Sequence, residues 1–237
     1  MNAFRLFALT SALVLTACGG GGSSDPIFPE DGSTPPDPIV TVDDSGNTQV
    51  DSTALSDQLA TMSVGQLNDQ EAAGLLLMRE EEKLARDVYN ALYAIHGTNI
   101  FTNIASSEQT HTDAIKTLLD RYMLTDPATT DVAGVFQNTD LQMIYDQLVA
   151  TGTPSLLDAL RVGATVEELD IYDIARLRDE LVDNADIDLV YDNLMKGSRN
   201  HLRSFYRQIQ NQNADYEPIY ISQEEFDTIV TSDMERG

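Results

Sequence analysis

Apolar residues recur every three to four positions along four long stretches of the chain, the spacing of amphipathic helices. The first runs from about Asp69 to His96 through Leu75, Met78, Leu84, Val88 and Leu92, and Gly97 supplies a residue suited to ending it. The second covers about Asn99 to Tyr122 through Phe101, Ile104, Ala105, Ile115 and Leu118, with Asp126-Pro127 closing its exit. A third begins near Ser155 and runs toward Asp183 through Leu160, Val166, Ile171, Ile174 and Leu177. The fourth starts near Asp186 and carries Ile187, Val190, Leu194, Leu202, Phe205 and Ile209.

The connections between these helices are short, long, short. Short links force antiparallel neighbours, while residues 123–154 have the length to return along a bundle, so helices two and three can run parallel. A short helix is expected within that crossover, over Asp140 to Ala150, and no strand pattern of convincing length accompanies it. The fold class predicted is all-α, a ferritin-like antiparallel four-helix bundle with a long crossover between helices two and three.

Upstream of the bundle the pattern is different. MNAFRLFALTSALVLTAC has one basic residue, Arg5, then an apolar run from Leu6 to Leu15 that ends in small residues and Cys18, as a secretory signal does. LTAC, Leu15 to Cys18, resembles the lipobox of bacterial lipoproteins, in which the peptide is cut just before the Cys and that Cys carries the lipid. Residues 1–17 are therefore expected to be a lipoprotein signal peptide and 18–52, rich in Gly, Pro, Ser and Asp, a flexible tether. The domain is expected over 53–213, and 214–237 reads as a C-terminal tail with one short amphipathic piece. These features point to a cell-envelope lipoprotein held on a membrane through Cys18.

Charge narrows the partners. With 39 acidic against 14 basic side chains and a net charge of −25, nucleic acid is an unsuitable ligand and cations are suitable ones. A single cysteine leaves no intramolecular disulfide, so the domain must rely on its core.

Each long helix carries an acidic or histidine residue on its apolar face. In MREEEKLARDVY, Glu82 shares a face with Leu75, Met78, Ala85 and Tyr89, while Glu81 shares part of the stripe with Leu77, Leu84 and Val88. Helix two brings Glu108 and His111, an i, i+3 pair that projects two side chains to one side. Helix three brings Glu167 and Glu168 beside Leu160, Ala164, Ile171 and Ala175, and helix four brings His201 between Leu194 and Phe205. Counted from Thr98, Glu82 lies 16 residues before the turn and His111 13 after; counted from Ala185, Glu168 lies 17 before and His201 16 after. At about 1.5 Å per residue, all four helices can deliver these groups to one layer. Burying carboxylates among apolar groups is costly unless a cation or hydrogen bonds offset it, so a metal site is expected.

REEEKLARDVY, IASSEQTH, VGATVEELDIYD and GSRNHLRSF resemble blocks of the ferritin-like superfamily, and more closely its DUF2202 group of uncharacterised domains, over about Leu75 to Ile209. EKLARDVY is also similar to a rubrerythrin-type first helix, which implies Glu82 rather than Glu81 as the ligand. In di-iron carboxylate proteins of that superfamily two helices each give a Glu and the other two each give a Glu-x-x-His pair. The resemblance therefore implies a site of Glu82, Glu108, His111, Glu168 and His201 holding one or two transition-metal ions, iron first and manganese or zinc otherwise. Oxidase, peroxidase or ferroxidase chemistry would accompany it; a non-catalytic metal-binding or sensing module, or a metal-free interaction bundle, are the alternatives. The chain departs from the pattern at Ser198, where the second Glu-x-x-His should have its Glu. Glu81, Glu167 or Asp170 could replace that carboxylate, and Tyr89 and Tyr172 are candidate hydrogen-bond partners to the ligands.

Overall fold

A computed structural model of the chain describes residues 38–130, 132–179 and 184–236. The expected signal peptide, Cys18 and the first part of the tether lie outside the described residues.

Four long helices form the body: α2 (Asp69–His96), α3 (Asn99–Arg121), α5 (Leu156–Asp179) and α6 (Ala185–Asn211). Their ends follow local chemistry. Asn68 and Glu71 make a reciprocal capping box at the start of α2, and Gly97, in the left-handed region at φ 64°, ends it by donating its N–H to Tyr93 O. With only Gly97 and Thr98 between them, α2 and α3 fold back on each other as an antiparallel pair. The crossover from α3 to α5 contains α4 (Thr139–Gly152), capped by Asn138, which packs on α5 and α2. The closest neighbours are α2 with α3 and α5 with α6; α2 with α5 and α3 with α6 complete the bundle.

Three small elements extend it. Strands β1 (Val40–Val42) and β2 (Thr48–Val50) pair antiparallel around a turn whose Gly46 has φ 85°, and α1 (Ser52–Thr61) follows. The outer edge of β2 is not left open: Thr48 N–H donates to Ser107 Oγ at 3.0 Å and Val50 N–H to Thr110 Oγ1 at 3.0 Å, both side chains of α3. The hairpin corrects the expectation that a flexible tether extends to residue 52. The C-terminal residues also do more than a tail would, since α7 (Gln223–Thr231) packs on α6 and buries Phe226 and Ile229. No helix among the described residues is long and apolar enough to cross a membrane.

The core is divided. One apolar cluster gathers Leu84, Val88, Tyr89, Phe101, Leu202 and Phe205. A second gathers Leu75, Met78, Ile115, Leu118, Ile174 and Leu194. Between them every long helix contributes buried polar side chains: Arg79 to Lys83 from α2, Glu108 and His111 from α3, Glu167 and Asp170 from α5, and Ser198 and His201 from α6. A layer of this kind opposes folding unless its charges are compensated.

Candidate metal centre

The run Arg79 to Lys83 shows how such a layer is assembled. Its spacing resembles a solvated helix face, yet every member is buried, Arg79, Glu80 and Lys83 against residues of the crossover. Lys83 Nζ binds Asp87 Oδ2 at 2.6 Å and the carbonyls of Val132 and Val135 at 2.9 and 3.2 Å. Glu80 accepts the N–H groups of Gln137 and Asn138 at 2.5 and 2.9 Å, and Arg79 clasps Asp126 and Thr112. These residues are satisfied by protein partners. Glu82 is not: neither of its oxygens finds a hydrogen bond.

Glu82 belongs to a cluster built from all four long helices. Glu108 Oε2 lies 2.8 Å from His111 Nδ1, and Glu108 Oε1 lies 2.8 Å from His201 Nδ1. Glu82 Oε2 is 3.4 Å from His111 Nδ1, and Glu167 Oε2 is 3.4 Å from His201 Nδ1. Two triads result, Glu82–Glu108–His111 and Glu108–Glu167–His201, with Glu108 common to both. The imidazoles stack, their centroids 5.5 Å apart and their planes 20° from parallel. All five residues are 0 % exposed.

The close approaches are not aligned hydrogen bonds. Both nitrogens of each histidine, both oxygens of Glu82 and Glu108, and Oε2 of Glu167 lack an aligned partner. Two donors bound at right angles to one ion at about 2.1 Å would be about 3 Å apart, which is the separation found here. Neutral imidazole nitrogens and carboxylate oxygens also form a donor set suited to Fe, Mn or Zn. The residues present therefore fit a metal, one ion per triad or one in all.

Without metal the cluster holds protons. Burial disfavours charge on His111 and His201, but the carboxylates of Glu108 and Glu82 raise His111 to about 10, and those of Glu167 and Glu108 raise His201 to about 9. Burial pushes Glu82 and Glu167 up to about 7, even though His111 and His201 pull the other way. Burial also acts on Glu108, but His201 and His111 on either side outweigh it and hold its carboxyl well below the usual range. Imidazolium–carboxylate contacts thus stand where metal–ligand bonds would.

Four of the five residues expected in the site, Glu82, Glu108, His111 and His201, are brought together. Glu168 is not with them, and the carboxylate from α5 is Glu167. One residue turns a helix by about 100°, and Glu168 faces the C-terminal segment, where its Oε2 accepts from Tyr216 Oη and Ile219 N–H, both at 2.8 Å. Burial along α5 shows the division. Gly163, Glu167, Asp170, Ile174 and Leu177 form one buried stripe, whereas Tyr172 and Ala175, which follow Glu168 around the helix, are exposed. Tyr89 sits as expected and donates to Glu167 Oε1 at 2.6 Å. Tyr172 does not; it is 46 % exposed, with its ring 6.4 Å from that of Tyr220.

Glu81, the residue before Glu82, is buried too, and burial, Asp173 and Glu82 push its carboxyl well above the usual range. Ser198, at the position where a second Glu-x-x-His would have Glu, uses its hydroxyl on Leu194 O at 3.2 Å. Its neighbour Gly197 has a packing reason, since a Cβ there would overlap the His111 ring.

The fold and the layer define a helical-bundle protein with a buried carboxylate–histidine cluster able to hold metal. The chain belongs to the DUF2202 family, an uncharacterized protein domain whose model matches residues 71–233. It is 52% identical over 171 residues to the uncharacterized protein MJ0754 of Methanocaldococcus jannaschii, a match covering 72% of this chain and 92% of that protein. It is also similar to the crystal structure of that hypothetical protein from Methanococcus jannaschii DSM 2661, with a TM-score of 0.72 and 49% identity over 73% of this chain and 99% of the other.

Proposed function

We propose that this chain is an exported, lipid-anchored protein of ferritin-like type whose buried layer binds one or two transition-metal ions, iron first and manganese or zinc otherwise. The observation that carries the reading is Glu108, fully buried, with each oxygen 2.8 Å from a different histidine Nδ1 and neither in an aligned hydrogen bond. The ferritin-like assignment rests on the order of the four long helices, with the long crossover between the second and third.

The chain's residues would act as follows. His111 and His201 would give up their Nδ1 protons and offer neutral lone pairs, Glu82 and Glu167 would each serve one triad, and Glu108, common to both, would serve the two. Tyr89 fixes Glu167 through its hydroxyl. Bound iron or manganese would supply one-electron redox chemistry toward oxygen or peroxide, as in an oxidase, peroxidase or ferroxidase. The surrounding apolar clusters exclude bulk water from the ligands. Full enclosure of all five residues also favours a second reading, non-catalytic metal binding, because only small species could reach such a centre.

Purified mature protein loaded anaerobically with Fe(II) is expected to bind metal stoichiometrically, and an absorbance change on adding oxygen or peroxide, with turnover, marks the enzyme. Binding without turnover selects the second reading. Glu167→Gln should lower bound iron, whereas Glu168→Gln should leave it unchanged and only loosen the C-terminal segment, at a cost of about 1–3 kcal/mol. No specific binding of Fe, Mn or Zn would refute the proposal and leave a bundle whose polar layer fixes helix register.

The envelope location rests on the N-terminal sequence ending in LTAC. Mass spectrometry of the membrane fraction is expected to find a chain beginning at lipid-modified Cys18. An unlipidated chain, or Cys18→Ser retained normally on the membrane, would rule the anchor out.

A further inference from the structure

We propose that Asp170 is the fourth carboxylate of a dinuclear centre, supplied by α5 one turn beyond Glu167 in place of the carboxylate that α6 lacks at Ser198. The inference rests on the metal-binding reading above and makes it specific in nuclearity and ligand set.

Three observations carry it. Asp170 is 0 % exposed, and neither of its oxygens has a hydrogen-bond partner. It follows Glu167 by three residues on the same helix, so both side chains project from one face toward the layer. After burial itself, the groups that push its carboxyl up are Glu82, Glu81, Glu167 and Glu108, three of which belong to the two triads. A buried acid in such company is tolerated only if something neutralises it. A proton alone is a poor solution, because a protonated Asp170 would still hold both oxygens without a hydrogen-bond partner in the interior. A cation removes the charge and satisfies the oxygens together.

Charge balance points the same way. Two divalent ions bring four positive charges, histidines bind as neutral imidazoles, and Glu82, Glu108 and Glu167 supply only three negative charges. Asp170 makes the centre neutral, the state that burial between two apolar clusters favours. Glu81 is the less suitable fourth carboxylate, since Asp173 is its leading electrostatic neighbour and Arg176 partly offsets its charge. Asp173 itself is paired with Arg176 at 2.9 Å.

The test uses Mn(II), which is stable in air and visible by electron paramagnetic resonance. Equilibrium dialysis of the mature wild-type chain should give two ions with a spin-coupled spectrum. Asp170→Asn should bind the second ion roughly ten-fold or more weakly and lose the coupling, while Asp173→Asn keeps both. Metal-free Asp170→Asn should melt no lower than wild type, because the substitution removes an uncompensated acid; a purely structural role would lower it. Asp170→Ala, which deletes the carboxylate and leaves space, should reproduce the loss if Asn disturbs the fold. Two ions bound with unchanged affinity by both variants, or only one ion bound by wild type, would overturn the role of Asp170 and leave the metal-binding reading standing. Failure of wild type to bind Mn, Fe or Zn would overturn both.

Discussion

Glu108→Gln is expected to abolish binding of both metal ions, where His111→Ala and His201→Ala each remove one. The asymmetry follows from geometry: each Glu108 oxygen lies 2.8 Å from a different Nδ1, so this carboxylate is the only group common to the two triads. An amide keeps the shape but offers one oxygen without charge, and so cannot bridge. Metal at about a hundred-fold excess over its dissociation constant stabilises a protein by about 2.7 kcal/mol per site. That gain should disappear in Glu108→Gln and fall by part in each histidine variant. The metal-free variant should also suffer, because two buried imidazoliums lose the anion between them, a change costing about 3–5 kcal/mol. Elemental analysis paired with thermal melts, with and without metal, reads both effects. Retention of one ion by Glu108→Gln would show the triads to be separate sites with no shared ligand.

Much of this centre was legible in the residues. The bounds of α2 follow from its periodicity and from Gly97, and Glu108, His111 and His201 stand on apolar stripes that place them inward. Glu167 against Glu168 was harder, since both adjoin the stripe of Leu160, Ala164 and Ile171. The choice depends on which neighbours of α5 remain exposed, a tertiary fact. The C-terminal segment in particular buries Glu168 without bringing it to the layer. A similar reason hid the hairpin, whose three-residue strands carry too little periodicity to stand apart from loop composition, and left the short amphipathic piece that is α7 without a sign that it packs on α6. The run REEEKLARD misleads in the opposite direction. Its charge pattern suits solvent, and only the return of the crossover over α2 supplies the carbonyls and N–H groups that make burial tolerable.

The protons that occupy the layer give the second large expected effect: metal-free protein should lose stability steadily from about pH 5 to pH 10, while metal-loaded protein should not. His111 and His201 are raised to about 10 and about 9 in the folded chain, from about 6.5 when unfolded. Their contribution is fully present below the unfolded value and lost as pH rises through the folded ones. Glu82 and Glu167 are raised to about 7 from 4.5. The folded chain therefore holds protons that the unfolded chain releases between those values, and stability falls with rising pH over that interval as well. Glu108 opposes them, being held low by its two histidines, so its contribution is present above its unfolded value of 4.5 and is lost as pH falls below it. A tenfold difference in proton affinity between the folded and unfolded chain is worth about 1.4 kcal/mol, so the fall is large against a typical folding stability of about 5–15 kcal/mol. The same four groups must shed protons to bind an ion, so metal affinity should rise over that range. The gap in melting temperature between zinc-loaded and chelator-stripped protein should accordingly widen from pH 5 to pH 9. A gap that stays constant, or a stripped protein that gains stability as pH rises, would show that these side chains do not exchange protons for metal.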